Sequence, residues 1–212
     1  MPEIIRAPHR LMTTASADAP LKGVQYLLKA LAEVATVVPD ITLCLLGKLK
    51  PGGETEALID ALNLRDRIEF HVDISDEAMV ALYARATIAI VPSVYEGFGF
   101  PAGEAMACGV PVICTHNTGG ADLITDGQDG FVMPIRDVAA LGQLLELGLA
   151  DRARFYEIGQ AARKVARVLL QQRGQHGRHE EGHAGLRALG QFQKLAGVEL
   201  GHHQRGGAAR DA

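Results

Sequence analysis

The chain has 212 residues, 48% of them hydrophobic and 22% charged, with no Trp and a formal net charge of −4. That length is enough for one domain with a full core. The mildly negative charge carries no nucleic-acid footprint, and no apolar stretch reaches the length of a membrane span. Met1 to Arg10 holds two Pro and no apolar core, so no signal peptide is read there. Cys44, Cys108 and Cys114 lie in apolar runs without CxxC or zinc spacing, the pattern of small buried hydrophobes in a reducing compartment.

In chain order, Leu11 to Ala15 predicts a first strand, and Pro20, Leu21, Lys22 and Gly23 lie in the loop after it. Val24, Leu27, Leu28, Leu31, Ala35 and Val38 repeat with helical spacing up to Pro39. Ile41 to Leu46 reads as a buried strand closed by Gly47, Glu54 to Leu62 as a helix, and Ile68 to Val72 as a third strand. Asp76 to Ala84 is a predicted helix with Ser75 as N-cap. Thr87 to Val91 is a fourth strand, Pro111 to Cys114 a fifth and Gly130 to Met133 a sixth. Helices are expected over Val138 to Leu149 and Ala153 to Val168. Continuous apolar strands alternating with helices imply an α/β fold, a doubly wound parallel sheet of about six strands. Such sheets bind ligands beyond the carboxyl ends of their strands.

Beyond Val168 the pattern stops. Five of the eight His fall after Gln171, the stretch QQRGQHGRHEEGHAG has no apolar period, and Leu186 to Leu200 has weak helical spacing. The sequence thus divides into a domain over 1–168 and a divergent, disordered or poorly packed tail over 169–212, from a frameshift or simple divergence.

The segment Ser93 to Ile113, SVYEGFGFPAGEAMACGVPVI, is the most informative. It follows the fourth strand and reads as a glycine loop entering a helix, with Pro101 at the first helical position. Free N–H groups and the positive dipole end of that helix form an anion site, and Gly97 and Gly99 permit close approach of a ligand to the backbone. Glu104, about one turn into the helix, can accept two hydrogen bonds from a vicinal diol such as a ribose. Glu96, eight positions earlier at the loop mouth, can reach hydroxyls on the far side of the phosphates. Phosphate, ribose and a second polyol together describe a nucleotide sugar. Lys22 opens a helix where it can neutralise a diphosphate leaving group; the alternative is a solvated helix-start lysine.

EGFGFPAGEAMACGVPVI resembles the Glu-x7-Glu signature of the group-1 retaining glycosyltransferases of two-domain GT-B architecture. The likeness runs from about Thr13 to about Val168 and covers the C-terminal, donor-binding half of such an enzyme. It implies transfer of a hexose from a nucleoside-diphosphate sugar to an acceptor with retention of configuration, with no metal and no cofactor. It also implies that Glu104 holds the ribose and Glu96 the sugar hydroxyls. Lys22 and the amides of Gly97, Phe98, Gly99 and Phe100 would then face the diphosphate, with the two Phe side chains packing. Lys22-Gly23 matches the family's Lys-Gly, but Ser16, Ala17 and Asp18 stand where it carries a basic residue, and Arg10 lies far back. Gly119 and Gly120 match a family Gly-Gly, although Ala121 and Asp122 replace Pro-Glu, and that loop carries little weight. His71 lies near where the family seats the base, but reads more simply as a surface or core histidine.

The resemblance places the acceptor half, with its usual catalytic histidine, before such a domain. Met1 precedes the first strand by only a few residues, so that half is expected to be missing or supplied by a separate chain. The expected setting is cytoplasmic, with at most peripheral contact at the inner membrane face, since relatives glycosylate lipids. One rival is an inactive truncated remnant, or a nucleotide-sugar-binding or interaction module. A sugar-nucleotide epimerase is another, opposed by the full Glu-x7-Glu spacing. A dinucleotide oxidoreductase is opposed by the loop SADAPLKG, which has no G-x-G-x-x-G.

Overall fold

The computed structural model describes residues 7–175. Six strands, β1 (Arg10–Thr14), β2 (Thr42–Leu46), β3 (Ile68–His71), β4 (Ile88–Val91), β5 (Val112–Thr115) and β6 (Phe131–Met133), form one sheet in the order β3-β2-β1-β4-β5-β6. Every neighbouring pair is parallel. Between and after them run α1 (Val24–Val34), α2 (Glu54–Ala61), α3 (Asp76–Arg85), α4 (Phe100–Ala107), α5 (Val138–Ala150) and α6 (Arg152–Gln175).

Parallel strands need crossover connections, and their helices cover both faces, which is why the central strands carry no polar alternation. Leu11 and Met12 of β1, Leu43, Cys44 and Leu45 of β2, and Ile88 to Val91 of β4 are all buried. On one face α1, α2 and α5 pack Leu27, Leu28, Leu31, Ile59, Leu141 and Leu145 against Leu11, Leu43, Leu45 and Ile113. Full burial of each such Leu stabilises the fold by about 2 kcal/mol relative to exposure. On the other face α3 and α4 pack Val80, Tyr83, Ala102, Ala105 and Met106 against Met12, Cys44, Ala89 and Val112. Helix α6 joins both layers, with Phe155 and Ile158 on the first and Ala162 and Ala166 on the second.

Two boundaries differ from the sequence expectation. Helix α1 stops at Val34, four residues short of Val38. There Thr36 N donates to Glu33 O at 3.1 Å, Val37 N donates to Val34 O at 3.0 Å, and the Thr36 hydroxyl also donates to Glu33 O, so the last turn tightens and ends. Helix α6 continues to Gln175, so the boundary expected at Val168 falls inside it. The remainder of the expected tail, 176–212, lies outside the described residues.

Sheet order sets the position of the site. Strands β1 and β4 are neighbours, yet the helices that follow them, α1 and α4, cover opposite faces. The connections therefore diverge at the carboxyl ends of two adjacent strands and leave a crevice, the topological switch point of a doubly wound sheet. The β1–β4 ladder stops at Met12 and Ala89, and the Thr13 hydroxyl carries it one step further by donating to Ile90 O at 2.8 Å.

Candidate functional site

Three loops build the crevice. The loop after β1 is tied to the loop after β4, since Val94 N donates to Leu21 O at 2.8 Å. Gly23, at φ 67°, lies so close that a Cβ there would sit 1.9 Å from Pro92 O. The loop after β5 seats the glutamate loop from the other side. Glu96 N donates to Asn117 O at 3.2 Å, and Gly119 N donates to Glu96 O at 2.9 Å. Gly99, also at φ 67°, presses onto Gly120, where a Cβ would meet the amide nitrogen at 2.2 Å. Any side chain at Gly23 or Gly99 would combine left-handed backbone strain with a backbone collision.

Helices α1 and α4 open at this crevice, and each begins at a glycine, Gly23 and Gly99, with no side-chain cap. Elsewhere a side chain fills that role. Ser75 Oγ accepts from Ala78 N on α3, Asp137 Oδ1 from Ala140 N on α5, and Asp151 Oδ1 from Arg154 N on α6. At α2 Asp18 takes the part, accepting from Lys50 N at 2.6 Å and Thr55 N at 3.4 Å. The two helix starts that face the crevice thus keep N–H donors for a bound anion. Pro101 is the second residue of α4, one place later than expected, and still lies in the first turn where no N–H is needed.

Lys22 and Glu96 meet directly. Lys22 Nζ donates to Glu96 Oε2, joining the loops after β1 and β4 through a partly buried ion pair. The sequence reading gave these two groups separate tasks, on phosphate and on sugar; the structure joins them in one ion pair. Glu104 has a different setting. Tyr83 of α3 points its hydroxyl into the space between β1 and α4, 3.3 Å from Glu104 Oε2, 2.9 Å from Thr14 Oγ1 and 3.4 Å from Pro101 O. Burial pushes the Glu104 carboxyl up to about 7, against the opposing pull of the Tyr83 hydroxyl and with a small addition from Asp76. Burial likewise raises the Tyr83 phenol well above its usual value.

Of the remaining expected residues, Gly97 lies exposed at the loop crest with open space at its Cβ position. Phe98, read as a packing side chain, is 66% exposed, and its ring stacks on Phe100 at 5.4 Å between centroids. Tyr95 and Leu21 are exposed beside it in sequence and at the same loop junction. Arg10 takes no part in the crevice. It is buried at the start of β1, at the far end from the site, with its guanidinium forked onto Glu69 at 2.8 and 2.6 Å. That pairing holds the Glu69 carboxyl down to about 2. His71 sits on the edge strand β3, 3.6 Å from Glu69. Gly47 packs under the first loop, where a Cβ would fall 1.9 Å from Ala15 O. The three Cys are buried and not in disulfides, and burial raises Cys114 to about 11.

Sequence reasoning missed two contributions. Gly119 and Gly120, given little weight, are the seat on which the glutamate loop rests. Their pairing in sequence after a strand was the available signal. Tyr83 and Thr14, which surround Glu104, carried no local signal, because each reads as an ordinary core position. Among the described residues no cluster of three or more His, Cys, Asp or Glu could hold a metal, and no helix is long and apolar enough to cross a membrane.

A doubly wound parallel sheet with two uncapped helix starts, two glutamates and a lysine at its switch point defines the class of the domain as α/β with a crevice at the carboxyl ends of its strands. The chain belongs to the family of group 1 glycosyl transferases, whose model matches residues 5–165. It is 41% identical over 146 residues to an MMP alpha-(1->4)-mannosyltransferase of Mycolicibacterium hassiacum, covering 66% of this chain and 35% of that protein. The chain therefore spans about a third of the length of the curated relatives it matches. In fold it resembles the C-terminal domain of a group 1 glycosyl transferase, LpcC, from Francisella tularensis. There the TM-score is 0.67 at 24% identity, covering 77% of this chain and 87% of that one. A crystal structure of Anabaena HepE in complex with UDP and glucose gives a TM-score of 0.67 at 25% identity, over 75% of this chain and 43% of that one.

Proposed function

We propose that this domain binds a nucleoside-diphosphate sugar and serves as the donor half of a retaining hexosyltransferase. The observation that carries the reading is the crevice itself, where two uncapped helix starts, Lys22, Glu96 and Glu104 converge. In this reading the diphosphate lies against the amides of Gly97 to Phe100, and Lys22 turns from Glu96 to the phosphates. Glu96, released, accepts from the sugar hydroxyls and orients the anomeric carbon. Glu104 accepts from the ribose diol. As the anomeric bond to the diphosphate breaks, charge grows on the departing oxygens, where fixed N–H dipoles and the ammonium of Lys22 stabilise it most. The acceptor hydroxyl approaches from the same face of the sugar. The HepE complex with UDP and glucose supports the donor class, and the mannosyltransferase relative supports a hexose.

Transfer also needs a surface that presents the acceptor across the crevice. We assign that surface to other protein segments, on a separate acceptor-binding chain or domain, in the cytoplasm, with membrane contact limited to the periphery. Exposed Leu21, Tyr95 and Phe98 at the mouth are compatible with such a neighbour. The test is calorimetry of the 212-residue chain with UDP, GDP and their hexose forms, alongside a transfer assay. Donor binding without acceptor-dependent transfer is expected. Failure to bind any of these nucleotides would overturn the reading, and robust transfer by this chain alone would overturn the separate acceptor surface.

A further inference from the structure

We propose that Tyr83 is a positioning residue for the ribose site, holding one oxygen of Glu104 so that the rest of the carboxylate is presented to the diol. The proposal rests on the assignment of Glu104 to the ribose. Its own support is geometric. Tyr83 is 1% exposed and belongs to the core layer formed by α3 and α4 against β1 and β2, yet its hydroxyl sits among three oxygens. Thr14 Oγ1 lies at 2.9 Å, Glu104 Oε2 at 3.3 Å and Pro101 O at 3.4 Å. A phenol has one proton to give. With Glu104 ionised, the strongest arrangement is Thr14 donating to Tyr83 and Tyr83 donating to the carboxylate, because a bond to a charged acceptor exceeds one to a neutral carbonyl.

That chain connects three elements, β1, α3 and α4. It fixes the carboxylate on the short helix α4 by reference to the sheet. A carboxylate offers about four lone-pair directions, so one bond from Tyr83 leaves enough to accept both ribose hydroxyls. Without the phenol, Glu104 loses its donor and the ordering of its side chain falls on the ligand, which then binds less tightly.

The experiment compares UDP with 2′,3′-dideoxy-UDP, and GDP with its dideoxy form, on the full chain. Wild type is expected to favour the ribo form. Tyr83→Phe, which keeps the ring, should reduce that preference by about three- to tenfold while leaving dideoxy affinity unchanged. Thr14→Val, of the same shape, should shift the preference in the same direction by less, and reports if Tyr83→Phe does not fold. A merely structural role would lower both affinities together. Equal loss of both forms, or an unchanged preference in the two variants, overturns the proposal. A wild type that binds nucleotide but shows no ribose preference overturns the Glu104 assignment beneath it.

Discussion

Glu96 and Glu104 stand eight residues apart at the same crevice and are held by opposite means. Glu96 sits on a loop, ion-paired with Lys22, its charge matched by a partner that a diphosphate would draw away. Glu104 sits on a helix beside a phenol, its carboxyl pushed up to about 7 by burial. One carboxylate is joined to a cation on a facing loop. The other lies beside a phenol, where burial raises it. The same residue type thus sits in an ion pair in one place and against a phenol in the other, because the neighbouring groups set its surroundings.

The strongest way to break this comparison is Glu104→Ala. Removing an acceptor of two ribose hydrogen bonds should cost about 1.5–3 kcal/mol, for bare nucleoside diphosphate and nucleotide sugar alike. Unchanged calorimetric affinity for UDP and GDP would remove Glu104 from the site.

Glu96→Gln should behave differently. Nucleotide-sugar affinity falls by about tenfold with the loss of a charged acceptor for the sugar. Bare nucleoside diphosphate keeps its affinity or gains, because Lys22 no longer has to leave a partner. An equal loss for both ligands would place Glu96 on the nucleotide and dissolve the contrast.

The smallest expected effect concerns pH. The folded-state value of Glu104, about 7, lies above the ordinary 4.5. Its contribution to stability is therefore complete below about pH 4.5 and is lost as pH rises through about 7. Glu104→Gln removes the buried charge, so its melting temperature relative to wild type should rise by a few degrees at pH 8, with little change at pH 4.5. A melting difference that is flat across this range would show that Glu104 is ionised without penalty.

Much of the site was legible in the chain. Pro101 after Gly97 and Gly99, between two glutamates and behind the buried strand TIAIV, announces a loop entering a helix, since each residue type meets a local backbone requirement. Arg10 was not legible. Its counter-charge, Glu69, lies two strands away, and only the β1-β2-β3 order brings them together. Asp18 looked like a flaw in a phosphate-binding loop. In the structure it accepts from Thr55 N at the start of α2, a contact 37 residues distant in sequence. The end of α1 was misjudged because apolar periodicity continued through Val38 after the hydrogen bonds had tightened into a final turn.

Sequence alone determined the parallel α/β class and the glycine loop, and singled out Lys22, Glu96 and Glu104 as candidates, because these follow from apolar period, backbone permissiveness and local spacing. Tertiary structure decided which groups touch. The pairing of Lys22 with Glu96 spans 74 residues and the Tyr83–Glu104 contact spans 21. The first exists because β1 and β4 are adjacent, and the second because α3 and α4 pack side by side on one face of the sheet. Strand order is a global choice of the fold, and no local run of residues encodes which loop will face which.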